Sequence, residues 1–120
     1  MQPLEIQSFS YDDRDGVLPT LLTALADGGA WVFERRSLSA STMELKVETQ
    51  LRSIMDLYAA IVEAGLELTR SSHLALADLC SCRTNASDAV DLSQIVMLRM
   101  EISFLGSVTL YSLARAGTPV

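Results

Sequence analysis

The apolar residues of this chain change their spacing as the chain advances, and that change limits the folds open to it. From Met43 to Thr49, apolar Met43, Leu45 and Val47 alternate with Glu44, Lys46 and Glu48, the period of two of a strand with one solvated face. From Gln50, the set Leu51, Ile54, Met55, Tyr58, Ile61 and Val62 recurs every three or four residues, the period of an amphipathic helix. Val96, Leu98, Met100, Ile102 and Phe104 then return to a period of two. Such a chain is neither all-helical nor all-β; its fold class is α+β. Its 120 residues fill one domain, 1–120, and are too few for two independent cores.

The remaining segments fall between these anchors. Residues 3–11 read as a strand, with Leu4 and Ile6 on one face and Phe9 and Tyr11 on the other. The turn cluster Asp12-Asp13-Arg14-Asp15-Gly16 opens a helix in which Leu18, Leu21, Leu22 and Leu25 form one stripe. Pro19 is expected in its first turn, and Gly28-Gly29 supply a left-handed stop. Ala30–Leu38 and Met43–Thr49 pair as a hairpin. Thr49 is the expected N-cap of the second helix and Gly65 its end. Leu66 to Thr69 fits a short strand. For Ser72 to Cys80, the Ala and Leu content and the scarcity of β-branched residues favour a short helix over a strand. Arg83 to Asp91 reads as a loop, 96–104 as a long C-terminal strand, and 107–120 as a tail expected to fray.

Composition excludes several classes. Hydrophobic residues make up 49% and the mean hydropathy is +0.27, so the chain is not wholly disordered. A net charge of −6 repels polyanions, which makes nucleic acid and anionic membrane surfaces poor partners. Cys80 and Cys82 are too close in sequence to form a disulfide framework and read as reduced thiols of a cytoplasmic protein. The start, Met1-Gln2-Pro3-Leu4-Glu5, has no basic segment followed by an apolar one, so secretion is unsupported. The uncharged run Ile102–Ala114 has 13 residues, whereas a membrane-spanning helix needs about 20.

The order strand–helix–strand–strand–helix–strand is that of a ferredoxin-like βαββαβ sandwich, with both long helices on one sheet face. Within it, Asp13-Arg14-Asp15-Gly16-Val17-Leu18 follows a strand and opens a helix ending Ala24-Leu25-Ala26-Asp27-Gly28-Gly29-Ala30. This resembles the ACT domain, whose first loop commonly reads Asp-x-Pro-Gly-x-Leu. Asp13, Gly16 and Leu18 match that pattern, and Asp15 stands where Pro is usual. The resemblance covers residues 4–68 and leaves 71–92 as an added helix and loop. It implies a non-catalytic regulatory module, usually dimeric, that binds an amino acid or similar small metabolite at an interface near this loop. The ligand residues so implied are Asp13, Arg14, Asp15, Gly16, Val17 and Leu18, with no cofactor and no metal.

The chemistry of that loop has two sides. Backbone N–H groups at a helix start, with a glycine allowing close approach, suit a carboxylate. The charges of Asp12, Asp13 and Asp15 around the single Arg14 oppose an anion. A structural role for one Asp as N-cap is the plainer reading. If a zwitterion binds, an Asp is expected to hold its amino group.

Other constellations are weaker. His73 and Cys80 share a helix face, but Cys82 points elsewhere and no second cysteine pair completes a zinc set. His73 is the sole histidine, seven residues from the nearest cysteine and without a Gly-rich elbow, so the pattern of a nucleophile and its base is absent. Arg35 and Arg36 are expected to pair with Glu44 and Glu48. The last strand is apolar on both faces in part, with Ile95 and Met97 beside Val96 and Leu98. That suggests a second cover from the helix near Leu74–Cys80 or from a neighbouring subunit, and sheet continuation across a homodimer. The alternative to a ligand-binding module is a ferredoxin-like homodimerisation domain with no metabolite ligand.

Overall fold

In a computed structural model, which describes residues 3–86 and 89–107, the two periods sort into two layers. Five strands, β1 (Leu4–Ser10), β2 (Trp31–Ser37), β3 (Thr42–Gln50), β4 (Glu67–Leu68) and β5 (Ile95–Phe104), form one mixed sheet in the order β2-β3-β5-β1-β4. Helices α1 (Arg14–Asp27), α2 (Ile54–Glu63) and α3 (Arg70–Asn85) pack on it, with α2 touching both of the others. A single turn, α4 (Ala89–Leu92), leads into β5. No helix among the described residues is long and apolar enough to cross a membrane.

Alternate sheet side chains meet the helices. Ile6, Leu45, Val47, Leu98, Met100 and Ile102 join Leu21, Leu25, Ile54, Leu57, Ile61 and Leu76 in a single core. Burying a side chain of this size contributes about 1.5–3 kcal/mol, so the shared core outweighs any single cap or turn. The intervening residues, among them Glu5, Gln7, Lys46 and Arg99, face away from the helices and keep contact with solvent. Two buried serines on β1 are satisfied locally: Ser8 Oγ donates to the carbonyl of Glu101, and Ser10 Oγ accepts from the Asp12 N–H.

The chain follows the expected β-α-β-β-α-β order as far as β4, but the sheet is not a four-stranded antiparallel one. The long C-terminal strand does not close an edge. β5 lies between β1, to which it is parallel, and β3, to which it is antiparallel, with Met100 level with both Ile6 and Leu45. Five buried side chains on one face, Val96, Leu98, Met100, Ile102 and Phe104, are best covered at the sheet centre, under the helical layer. The last strand therefore has no free edge to extend across a dimer. The edges are β4, two residues long, and β2, which carries a bulge between Val32 and Glu34. Shortness, a bulge and the charges of Glu34, Arg35 and Arg36 all blunt edge pairing.

The helices also depart from their expected limits. α1 begins at Arg14, so Pro19 sits in the second turn, inside the helix, at an exposed position. Its missing N–H leaves the Asp15 carbonyl without a helical partner. The fully covered stripe is Val17, Leu21 and Leu25, while Leu18 and Leu22 are half-buried. The left-handed residue is Gly29, at φ +84°; the Ala30 N–H then reaches back to Leu25 O at 2.9 Å. Thr49 does not cap α2. It is a buried β3 residue whose Oγ1 donates to Gly29 O at 3.3 Å, and a 3₁₀ turn, Leu51–Ser53, separates it from α2. The covered stripe of α2 is Ile54, Leu57, Ala60 and Ile61, which turns Met55 and Val62 outward.

The added helix is long, not short. Thr69, three residues before the expected start at Ser72, caps α3, its side chain accepting from the Ser72 N–H. Ser72 is buried and its Oγ accepts from the Gln7 N–H at 2.8 Å, tying α3 to β1. Leu76 enters the core, so α3 covers the same sheet side as α2, and no helix among the described residues covers the other. α3 and α4 also take up most of the segment 83–91 expected as a loop. The tail from 108 onward lies outside the described residues.

Candidate functional site

The β1–α1 loop is locally determined. Asp13 has extended backbone angles, φ −80° and ψ 165°, and its Oδ1 accepts from the Gly16 N–H at 2.9 Å while its carbonyl accepts from Val17. That is an N-cap in the usual sense. The loop is backed by the second residue after β5: a Cβ on Gly106 would lie 2.5 Å from the Asp12 carbonyl carbon and 2.7 Å from Asp13 N. Only glycine allows the chain after β5 to lie this close to the loop.

Around that loop, Asp12, Asp13, Gly16, Val17, Thr20 and Ala64 line an open cleft of about 360 Å³. The expected site residues separate at this point. Asp13, Gly16 and Val17 reach the cleft, although Val17 is also part of the core. Asp15 and Leu18 are not among the lining residues; Leu18 packs half-buried against the core.

Arg14 turns the other way. Its Nη1 donates to Ser37 Oγ at 3.2 Å, and its Nη2 donates to the carbonyls of Ser39 and Ala40 at 3.0 and 3.1 Å. The guanidinium also stands 5.8 Å from the centroid of the Phe104 ring. Arg14 thus fastens the start of α1 to the β2–β3 turn, and its Nε is buried without a partner. The cation the loop offers in sequence is spent on the fold, and the cleft is lined by carboxylates.

Sequence reasoning named Asp12 only as a charge opposing an anion and missed Thr20 and Ala64; all three are lining residues. Thr20 is one helical turn beyond Gly16, so its place was open to a face argument. Ala64 ends α2 and comes to the cleft only through packing of α1 on α2.

The histidine and cysteines do not converge. His73 Nδ1 and the Tyr58 hydroxyl share a hydrogen bond of 2.5 Å across the α2–α3 contact. Cys80 is half-buried and Cys82 exposed. Burial pushes the Cys80 thiol above its ordinary range, against a smaller opposing effect of Arg83. Among the described residues no group of three or more His, Cys, Asp or Glu could hold a metal ion.

The expected arginine pairs hold in part: Arg36 bonds Glu44, whereas Glu48 accepts from the Trp31 indole N–H, and Lys46 pairs with Glu34. No family model, curated protein or solved structure matches the chain.

Proposed function

We propose that this chain is a non-catalytic, ACT-like regulatory module that takes a small amine-bearing metabolite, such as an amino acid, in the cleft at the start of α1. The observation that carries this reading is the lining itself, with Asp12 and Asp13 beside Gly16, Val17, Thr20 and Ala64. Two carboxylates there, with Arg14 drawn off to the β2–β3 turn, favour a protonated amine over a free carboxylate as the anchoring group. The other end of such a ligand would lie toward solvent or a second subunit, in keeping with action as a cytoplasmic homodimer.

A thermal-shift screen with the common amino acids tests the reading. Stabilisation at millimolar ligand, lost in Asp12→Asn, supports it. Asp12 does not cap the helix, so that variant keeps the fold. A flat screen overturns it.

A second reading is a ferredoxin-like self-association domain without a metabolite. It rests on Trp31, Phe33 and Leu38, large apolar side chains 44%, 46% and 41% exposed on or beside β2. A flat ligand screen together with a firm dimer in light scattering would favour it; a monomer at high concentration would remove it.

A further inference from the structure

The sheet face turned away from the helices carries a second concavity. Gln7, Phe9, Thr69, Glu101 and Ser103 border about 240 Å³ of open space beside β1 and β5. On these parallel neighbours Gln7 is level with Glu101 and Phe9 with Ser103, while Phe9 faces Glu67 of β4 on its other side. Phe9 and Glu101 are therefore diagonal neighbours about 8 Å apart along the backbone, from a strand spacing of ~4.8 Å and a two-residue repeat of ~6.6 Å. Their side chains can close on one bound group. The Tyr11 ring stands edge-on to Phe9, with centroids 6.1 Å apart and planes at 89°.

Three carboxylates on this face have no ion pair among the described residues: Glu48 and Glu67, which accept from the Trp31 indole and the Tyr11 hydroxyl, and Glu101, which has neither kind of partner there. Arg36 is bonded to Glu44, Lys46 to Glu34, and Arg99 to both Glu5 and Glu44. Glu101 lies directly across from Glu44, a like-charge pairing that costs stability. No ion pair reaches Glu101 among the described residues. An uncompensated carboxylate thus borders a half-buried aromatic ring. A small hard metal ion would want several charged oxygen ligands; Glu101 is the one carboxylate bordering the nook, and no group of three or more His, Cys, Asp or Glu among the described residues could hold a metal ion. A cation with an apolar coat gains from both the ring face and the carboxylate.

We propose that this nook binds a small organic cation of the quaternary ammonium class, seated between the Phe9 ring and the Glu101 carboxylate. The net charge of −6 concentrates such cations near the surface. The nook lies across the sheet from the helical layer, so it stands apart from the cleft at α1, and either can fail without the other.

Titration of the whole chain with tetramethylammonium chloride, followed by amide NMR against sodium chloride at equal ionic strength, tests the proposal. Saturable shifts at Phe9, Tyr11, Glu101 and Ser103 are expected, with a dissociation constant on the order of 1 mM. Glu101→Gln and Phe9→Leu should each weaken binding about ten-fold, with thermal melts verifying that both variants fold. Glu48→Gln, on the same face, should leave the constant unchanged. Shifts that sodium chloride reproduces, shifts confined to residues 12–20, or unaltered affinity in folded Glu101→Gln and Phe9→Leu would overturn it.

Discussion

Arg99, on the central strand β5, bonds the carboxylate of Glu44 on β3, a side chain only 3% exposed although it stands on the sheet face turned away from the helices. The same guanidinium reaches Glu5 on β1 at 2.8 Å. One arginine thus ties three adjacent strands together.

This bridge makes stability depend on pH in the acid range. Burial pushes the Glu44 carboxyl up, but the Arg99 hydrogen bond and the charges of Arg36, Arg99 and Lys46 together hold it below its ordinary 4.5. A carboxyl whose folded value is depressed stabilises the fold above its unfolded value, and that contribution disappears as pH falls through the folded value. Urea midpoints measured from pH 6 downward should decline once pH passes below about 4.5. In Glu44→Gln that decline should be shallower. Parallel profiles for the two proteins would refute the assignment.

Gly106 should tolerate no side chain. A Cβ there meets Tyr11 O, Asp12 C and Asp13 N at 2.5–2.7 Å, all backbone and unable to swing away. Gly106→Ala should cost roughly 1–3 kcal/mol in urea unfolding and shift the amide resonances of residues 11–16. A neutral substitution would mean that the chain after β5 does not back the loop.

α3 belongs to the core through Leu76 rather than through its more exposed neighbour. Leu76→Ala empties a fully buried position and should cost about 2–5 kcal/mol. Leu74, 55% exposed, should change stability by no more than about 0.5 kcal/mol when replaced by Ala. Equal effects in chemical denaturation would place α3 elsewhere.

Asp13 earns its place structurally before any ligand arrives. Asp13→Ala removes the acceptor for the Gly16 N–H and should cost about 1 kcal/mol, whereas Asp13→Asn retains the cap and should be nearly neutral. Comparing the two by thermal melts separates capping from the carboxylate charge that the cleft would use.

The local parts of this architecture were legible because each depends on a single boundary. The alternation of Met43, Leu45 and Val47 needs only one buried face to become β3, and Asp13 and Gly29 bracket α1 through bonds made within a turn or two. Arg14 was legible as a charge beside the loop but not as a tether, because its acceptors, the Ser39 and Ala40 carbonyls, lie in a turn beyond the following strand. The inserted position of Pro19 was hidden because an N-cap three residues ahead of Gly16, rather than the glycine, starts the helix.

Sequence alone determined that two helices of period 3.6 and strands of period two would share one apolar interface, since side-chain spacing along one element decides which of its faces leaves water. Tertiary structure alone decided that β5 enters between β1 and β3, that Ala64 borders the cleft and that no ion pair among the described residues reaches Glu101. These depend on which elements become neighbours, as in the Arg99–Glu5 contact across 94 residues of chain. A period carries no label for its partner; strand order is selected by how completely all the apolar faces can be covered at once.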